Sequence, residues 1–359
     1  MTDSDLSHFI DTVCGESRLR VEADLGDGFV RLRSSEAERR QAAQDIRSSE
    51  DIVIELLRNA RDAGARHIFL ATQRTEGARL ITVIDDGDGI PAALHDRIFE
   101  PRVTSKLDTA HMDKWGMHGR GMALYSISAN ARYARVARSA PGLGTSISVE
   151  TDLSQLGEKT DQSTFPRFEA SGEGSFCMRG PKNILRTAAE FALEHRNDCA
   201  VHIGTPVDIA ATLYEFGMAT TSAALRAFPG EVSEFPLVKQ PALLASPDDL
   251  AAWCDGTGLP LSARSARRIL DGTIGPASSL TDRLQQESFP AVRASAAPRP
   301  KGDARKLRLA DEDAALLADA AEQAMGPIAR RYFLDGVGRP HVSATPDAIR
   351  ITIPIHKMD

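Results

Sequence analysis

The sequence predicts an α/β sandwich, with helices on one face of a mixed sheet, followed by a mainly helical region that ends in a strand. Three observations carry that prediction. An amphipathic helix with matching start and stop signals precedes a hairpin of two apolar strands, further strand patterns follow a helix opened by glycines, and helical periodicity dominates thereafter.

Residues 1–47 read as a lead-in: a short helix around Leu6 to Val13, a strand through Gly28-Phe-Val-Arg-Leu32, and a charged helix rich in Glu, Arg and Gln. Ser48-Ser-Glu-Asp51 has capping-box spacing ahead of an apolar run and Gly64 supplies a stop, so the first long helix is predicted between them. Val53, Leu56, Leu57 and Ala60 make its apolar stripe. Glu55, Asn59 and Asp62 recur at i, i+4 and i+7 and form a separate polar row. A strand is predicted at His67 to Thr72, a turn at Glu76-Gly77, and a second strand at Leu80 to Ile84 that runs into Asp85-Asp86-Gly87-Asp88-Gly89-Ile90. A helical stretch near Ala92 to Phe99 leads to Pro101, and residues 102–118 make a polar loop of lid-like length. Gly116, Gly119 and Gly121 open a helix through Tyr125 and Ile127. Strands at Arg132 to Arg138 and Thr145 to Glu150, joined by Pro141-Gly-Leu-Gly144, complete a domain over residues 48–155.

Residues 156–287 are mainly helical by pattern, with Asn183 to His195, Pro206 to Gly217, Pro247 to Asp255 and Ser262 to Leu270 as the helices. Glu215 to Arg226 and Gly256 to Arg267 share a cadence of helix, glycine, turn and helix. Two readings are open: helix-turn-helix units, or ordinary helical hairpins in a bundle. Residues 288–309, including Ala297-Pro-Arg-Pro-Lys301, read as a linker rich in Pro, Arg and Lys. Residues 310–359 hold a last helix, Ala310 to Arg331, and a half-buried strand in which Ile349, Ile351, Ile353 and Ile355 alternate with other residues.

At 359 residues the chain accommodates two modest domains, and a net charge of -7 excludes a protein that coats nucleic acid along its whole surface. Basic surface must be local. Residues 259–309 carry ten Lys/Arg against four acids, which fits DNA contact through Arg264, Arg267 and Arg268 and fits a solvated linker and helix surface equally well. The four cysteines form no CxxC pair, so neither a zinc site nor a disulfide framework is expected, and the thiols read as reduced in a cytoplasmic protein. An acidic N-terminus without an apolar core and the lack of any long apolar run argue against secretion and membrane insertion.

The chemistry sits in three motifs. An amide oxygen beside carboxylates, as in the Glu55, Asn59 and Asp62 row, suits Mg²⁺ shared with substrate phosphates. Taken alone, the row reads better as the solvated face of an amphipathic helix, and the motifs that follow it reverse that preference. The Asp85 carboxylate at a strand end can accept a hydrogen bond from an exocyclic amine such as that of adenine. The Asp-Gly-Asp-Gly run lacks the later Glu of a calcium loop. Three glycines at a helix start offer free N–H groups to an anion, with a dipole contribution of about 0.3–2 kcal/mol, though no GK[ST] of a Walker motif is present.

In this order the motifs, with Gly144-Thr145 on a late strand, resemble the GHKL ATPase superfamily of gyrase B subunits, ninety-kilodalton heat-shock chaperones, histidine kinases and MutL mismatch-repair proteins. Glu55 to Ala65, Thr104-Ser105-Lys106 and Gly119-Arg-Gly121 resemble MutL-type members most, and Ile98-Phe-Glu-Pro101 resembles the histidine kinases. The resemblance implies a Bergerat-type ATP-binding fold, with ATP and Mg²⁺ as ligands. It implies that Asn59 ligates the metal, that Glu55 is the general base that activates water, and that Asp85 binds the adenine amine, with Gly89 letting the base lie close. Gly116, Gly119 and Gly121 would wrap the phosphates, and Thr145 would support Asp85 or a water. Lys106 would contact phosphate or hold the lid. Asp62, Gly87, Ile90, Thr104, Ser105, His118, Arg120 and Met122 fall along the same nucleotide site.

Autokinase activity is not expected, because only some 47 residues precede the domain and His8 lacks a following acidic residue. A transducer lysine has four candidates by position alone, Lys182, Lys239, Lys301 and Lys306. Two roles are expected. One is an ATP-gated clamp that closes as a homodimer, acting on DNA. The other is a signalling or chaperone-like module that binds a protein partner through residues 156–309.

Overall fold

A computed structural model describes residues 21–105, 111–113, 116–118, 121–171, 175–288, 311–331, 334–345 and 348–357. The helix expected at Leu6 to Val13 and almost all of the predicted linker lie outside them. The chain divides into two compact units, Met1–Ser288 and Phe289–Asp359.

The first unit begins with a hairpin of β1 (Val21–Gly26) and β2 (Phe29–Leu32), then α1 (Glu36–Asp45) and α2 (Ser49–Asp62). Next come β3 (His67–Thr75), β4 (Ala78–Asp85), the short strands β5 (Val103–Thr104), β6 (His111–Asp113) and β7 (Gly116–His118), and α3 (Ala123–Asn130). Strands β8 (Tyr133–Ser139) and β9 (Thr145–Asp152), a hairpin of β10 (Arg167–Ser171) and β11 (Ser175–Arg179), α4 (Ile184–Glu194) and β12 (Ala200–Gly204) follow. The unit ends with α5 (Pro206–Thr220), α6 (Ala223–Ala227), α7 (Pro247–Gly256), α8 (Ala263–Leu270) and α9 (Leu280–Ser288).

The predicted mixed sheet is present as five strands in the order β12-β3-β4-β9-β8. Alternation along the strands separates two apolar sets. Ile68, Leu70, Ile81, Val83, Ile147 and Val149 pack with Val53, Leu56 and Leu57 of α2 and Phe191 of α4, which is the helix-covered face the sequence predicts. Phe69, Ala71 and Ile84 belong to a second cluster with Ile209 and Leu213 of α5, Trp253 of α7 and Ile269 of α8. Helices therefore cover the other face as well. Hydroxyls on that face take up the α7 C-terminus: Ser146 Oγ donates to the Thr257 carbonyl at 2.7 Å and Thr82 Oγ1 to that of Gly258 at 2.7 Å. Carbonyls that a helix end leaves without partners are satisfied by the sheet itself.

Strand β12 pairs parallel with β3, Val201 opposite Ile68 and Ile203 opposite Leu70. Residues beyond 155 thus extend the same sheet. A five-residue apolar run between two helices has no periodicity that separates it from helix, so pattern reading passes over it.

Three local expectations are corrected. Ser48 caps α2 by position, but its side chain makes no cap hydrogen bond. The Asp51 carboxylate instead accepts from Arg47 N at 2.8 Å, and Ser49 N donates to the Gly157 carbonyl at 3.1 Å. Capping boxes form at Ser35 with Glu38 and at Thr205 with Asp208. The stretch Ala92 to Phe99, confined between Pro91 and Pro101, makes two 3₁₀ turns, Ala92–Leu94 and Arg97–Phe99, rather than an α-helix. Gly217 is not a turn. Helix α5 continues through it to Thr220, and a Cβ there would stand 2.7 Å from that of Ala242, so the glycine serves close packing and the turn of the first cadence falls later, at Thr221 and Ser222 ahead of the short α6. The second corresponds to α7 and α8, joined through Thr257 to Ser262.

In the second unit α10 (Asp311–Arg331) is followed by β13 (Leu334–Val337), β14 (His341–Thr345), β15 (Ala348–Thr352) and β16 (Ile355–Lys357). The predicted last strand is two, interrupted by Pro354, which has no N–H to give a ladder. β15 pairs with β14 and β16 with β13, and Ile349, Ile351 and Ile355 are exposed rather than half-buried. Among the described residues no helix is long and apolar enough to cross a membrane.

Candidate nucleotide site

A cavity of ≈ 170 Å³ lies between α2, the end of β4, the 3₁₀ segment, β5 and the start of α3. The polar row of α2 faces it: Glu55, Asn59 and Asp62 all line it. Their other lining partners from the sequence reading are Asp85, Gly89, Ile90, Thr104, Ser105, Gly121 and Thr145. Gly87 and Met122 stand behind the wall, Gly87 N donating to Asp85 Oδ1 at 2.9 Å and the Met122 carbonyl accepting from Ser126 N at 2.8 Å. Gly116 and His118 lie on β7, which pairs with β6, whereas Lys106, Gly119 and Arg120 lie outside the described residues. Arg264, Arg267 and Arg268 sit on α8 with exposed side chains opposite buried Ala266 and Ile269 and line no part of the cavity.

Within the row each side chain has a different environment. Asp62 is held by Arg61, whose Nη2 and Nε approach Oδ1 at 2.6 and 2.9 Å, and the same guanidinium meets His195 Nε2 at 3.0 Å. Glu55 pairs with Arg58 one turn on. Asn59 differs. Its Nδ2 is buried without a hydrogen-bond partner, alone in this among the described lining residues. A buried amide left unsatisfied costs about 1–3 kcal/mol, and because its two ends exchange by a flip, either can be turned to a ligand. The residues fit a magnesium-bound phosphate at this point.

Asp85 ends β4 at 4% exposure. Burial pushes its pKa up to about 7, opposed by backbone hydrogen bonds from Gly87 and Thr145 and assisted by the charges of Asp86 and Asp88. Beside it the turn 140–144 packs against the β4 end so tightly that a Cβ on Gly89, where φ is +74°, would stand 1.9 Å from the Ala140 carbonyl oxygen. Gly142 N donates to the Asp88 carbonyl at 2.6 Å.

Sequence reasoning missed several members of the site. Ser139 Oγ accepts from Ile90 N at 2.7 Å, donates to the Gly144 carbonyl at 2.9 Å and meets Thr145 Oγ1 at 3.0 Å, tying three segments of the wall together. Phe29 reaches the cavity because the lead-in hairpin continues into β5, with Val30 opposite Thr104 and Arg31 opposite Val103. Ile98 and Leu124 supply further apolar lining. Arg58 also lines it, three residues from Glu55, where a helical wheel would have drawn attention to it.

Comparison with known proteins follows the same segment. Residues 44–155 match the family described as histidine kinase-, DNA gyrase B-, and HSP90-like ATPase. Similar curated proteins include the DNA mismatch repair protein MutL of Clostridium perfringens, 36% identical over 103 residues, which are 28% of this chain and 15% of that protein. The MutL proteins of Parabacteroides distasonis, 38% over 112 residues (30% and 18%), and Staphylococcus aureus, 37% over 105 (28% and 15%), are similar over a comparable stretch. The chain therefore spans less than a fifth of the length of these relatives.

Proposed function

We propose that this chain, whose residues 44–155 form a GHKL-superfamily ATPase domain of the MutL-like kind, binds Mg²⁺·ATP in the cavity of α2 and β4, hydrolyses it slowly, and uses nucleotide state as a conformational switch. The observation that carries this reading is one cavity lined by both Asn59, whose amide nitrogen is buried without a hydrogen-bond partner, and the buried Asp85 carboxylate.

Each residue has a role that its chemistry suits. Asn59 would hold Mg²⁺, which would neutralise charge on the phosphates and help to orient them. Asp85, steadied by Thr145 and Ser139, accepts the exocyclic amine of adenine, and Gly89 lets the 140–144 turn pack against the β4 end beside it. Glu55 takes the proton from a water whose oxygen bonds to the terminal phosphorus. The bond from that phosphorus to the bridging oxygen breaks, and its electron pair leaves with ADP. Thr104, Ser105, Lys106 and the glycines at 116, 119 and 121, with His118 and Arg120, flank the phosphates, while Asp62, Gly87, Ile90 and Met122 support the walls.

The test couples ATP titration with molar mass. Asn59→Ala is expected to lose Mg²⁺·ATP affinity by about tenfold or more, and wild type is expected to shift to a dimer with the nucleotide bound. Equal affinity in both proteins would remove the metal-ligand role.

A second reading, contact with DNA, is favoured by the exposed Arg264, Arg267 and Arg268 on α8. Replacing Arg267 and Arg268 together by Ala should weaken DNA binding and lower its salt slope by roughly two. If wild type binds no DNA at low salt with ATP present, the DNA reading is wrong.

A further inference from the structure

We infer that Arg58 is a terminal-phosphate sensor: on binding of a nucleoside triphosphate its guanidinium leaves the Glu55 carboxylate for the terminal phosphate, and the same exchange releases Glu55 toward water. The inference rests on the nucleotide reading above.

Two observations carry it. The first is the charge of the cavity. Glu55, Asp62, Asp85 and Asp88 line it, and among the described lining residues Arg58 is the one cation. A polyphosphate held at Asn59 lies beside the Glu55 and Asp62 carboxylates of the same helix and meets repulsion that a single magnesium ion only partly cancels, and a guanidinium in the wall is the group best shaped to offset the remainder. The second is where that guanidinium rests. Arg58 has a side chain only 3% exposed, and its Nη1 bonds Glu55 Oε1 across one helical turn, Glu55 being 19% exposed. A buried guanidinium requires acceptors, and the base candidate itself is one of those that Arg58 uses. A terminal phosphate brings three oxygens and more charge than a carboxylate, and it presents them beside Asn59, the next residue on the helix. The partner exchange is local, because Arg58, Glu55 and Asn59 border one side of α2.

ADP lacks the group being sensed, so the exchange predicts discrimination between nucleotides rather than a general loss of binding. The full chain, with Mg²⁺, is titrated calorimetrically with ADP and with the β,γ-imido analogue of ATP. Arg58→Met is expected to weaken the analogue by about tenfold to hundredfold and leave ADP little changed, with Arg58→Lys between. Glu55→Gln, which keeps Arg58 and weakens its resting partner, should bind the analogue more tightly than wild type. Equal losses for both nucleotides in Arg58→Met would make Arg58 a structural residue and overturn the inference. If Arg58→Met does not fold, Glu55→Gln decides, and an unchanged analogue-to-ADP preference there overturns it too. Failure of wild type to bind either nucleotide sinks the ATP reading itself, a result distinct from both.

Discussion

Glu55→Ala is expected to retain Mg²⁺·ATP and to turn it over about 10²–10⁴-fold more slowly than wild type, the usual contribution of a positioned general base. The argument begins with helical geometry. Glu55 lies one turn before Asn59 on the same row of α2, and both line the cavity, which sets the proposed base one helical turn from the amide proposed to hold the metal and its phosphate. Little covalent work is required of a protein in phosphoryl transfer. Orientation and acceptance of one proton make up most of what a side chain contributes. The alanine variant also removes the Glu55 carboxylate from the buried Arg58 guanidinium, a loss separate from that of the base. Glu55→Gln separates the two effects, since its amide oxygen still accepts from Arg58 yet cannot take a proton. Single-turnover phosphate release, with binding followed separately, is the measurement. A Glu55→Gln protein that binds and hydrolyses like wild type would remove Glu55 from the mechanism.

The parts of the site that were readable in sequence share one property: they depend on spacing within a single element. The i, i+4, i+7 row of Glu55, Asn59 and Asp62 needs only a helix, and Asp85 followed by glycines needs only a strand end. What was hidden depends on contacts remote in sequence. Phe29 enters the cavity because β2 pairs with β5, some seventy positions away. Ser139 matters because the 140–144 turn folds back on Gly89 and Asp88. Nothing within Arg138-Ser-Ala marks that. The sheet was legible in the same proportion, its central hairpin by alternation and its edge strand β12 not at all, since a parallel partner leaves no turn in the sequence. Gly217 misled for a related reason: a glycine that permits close packing looks, in one dimension, like one that permits a turn.

Asp85→Asn is expected to flatten the pH dependence of stability in the nucleotide-free protein. Burial raises the folded-state pKa of Asp85 from 3.8 to about 7. Between those values the folded state holds a proton that the unfolded state has released, so stability contributed by this group is fully present below about 4 and falls as pH rises toward 7. With 1.36 kcal/mol per unit, the loss is on the order of 4 kcal/mol by pH 8. Few single groups cost a fold so much. Asparagine occupies the same volume, accepts from Gly87 N through its carbonyl oxygen and never ionises, so urea midpoints of the variant should exceed those of wild type at pH 8 and converge with them near pH 4. ATP is expected to show the opposite preference. The amine of adenine donates a hydrogen bond to the ionised carboxylate, and a bound donor offsets part of the desolvation that raises the pKa. Wild type should therefore gain more stability from ATP at pH 8 than the variant does. Parallel urea curves at both pH values would mean that Asp85 is solvated in solution, and the cavity would then lack the buried acceptor on which adenine recognition depends.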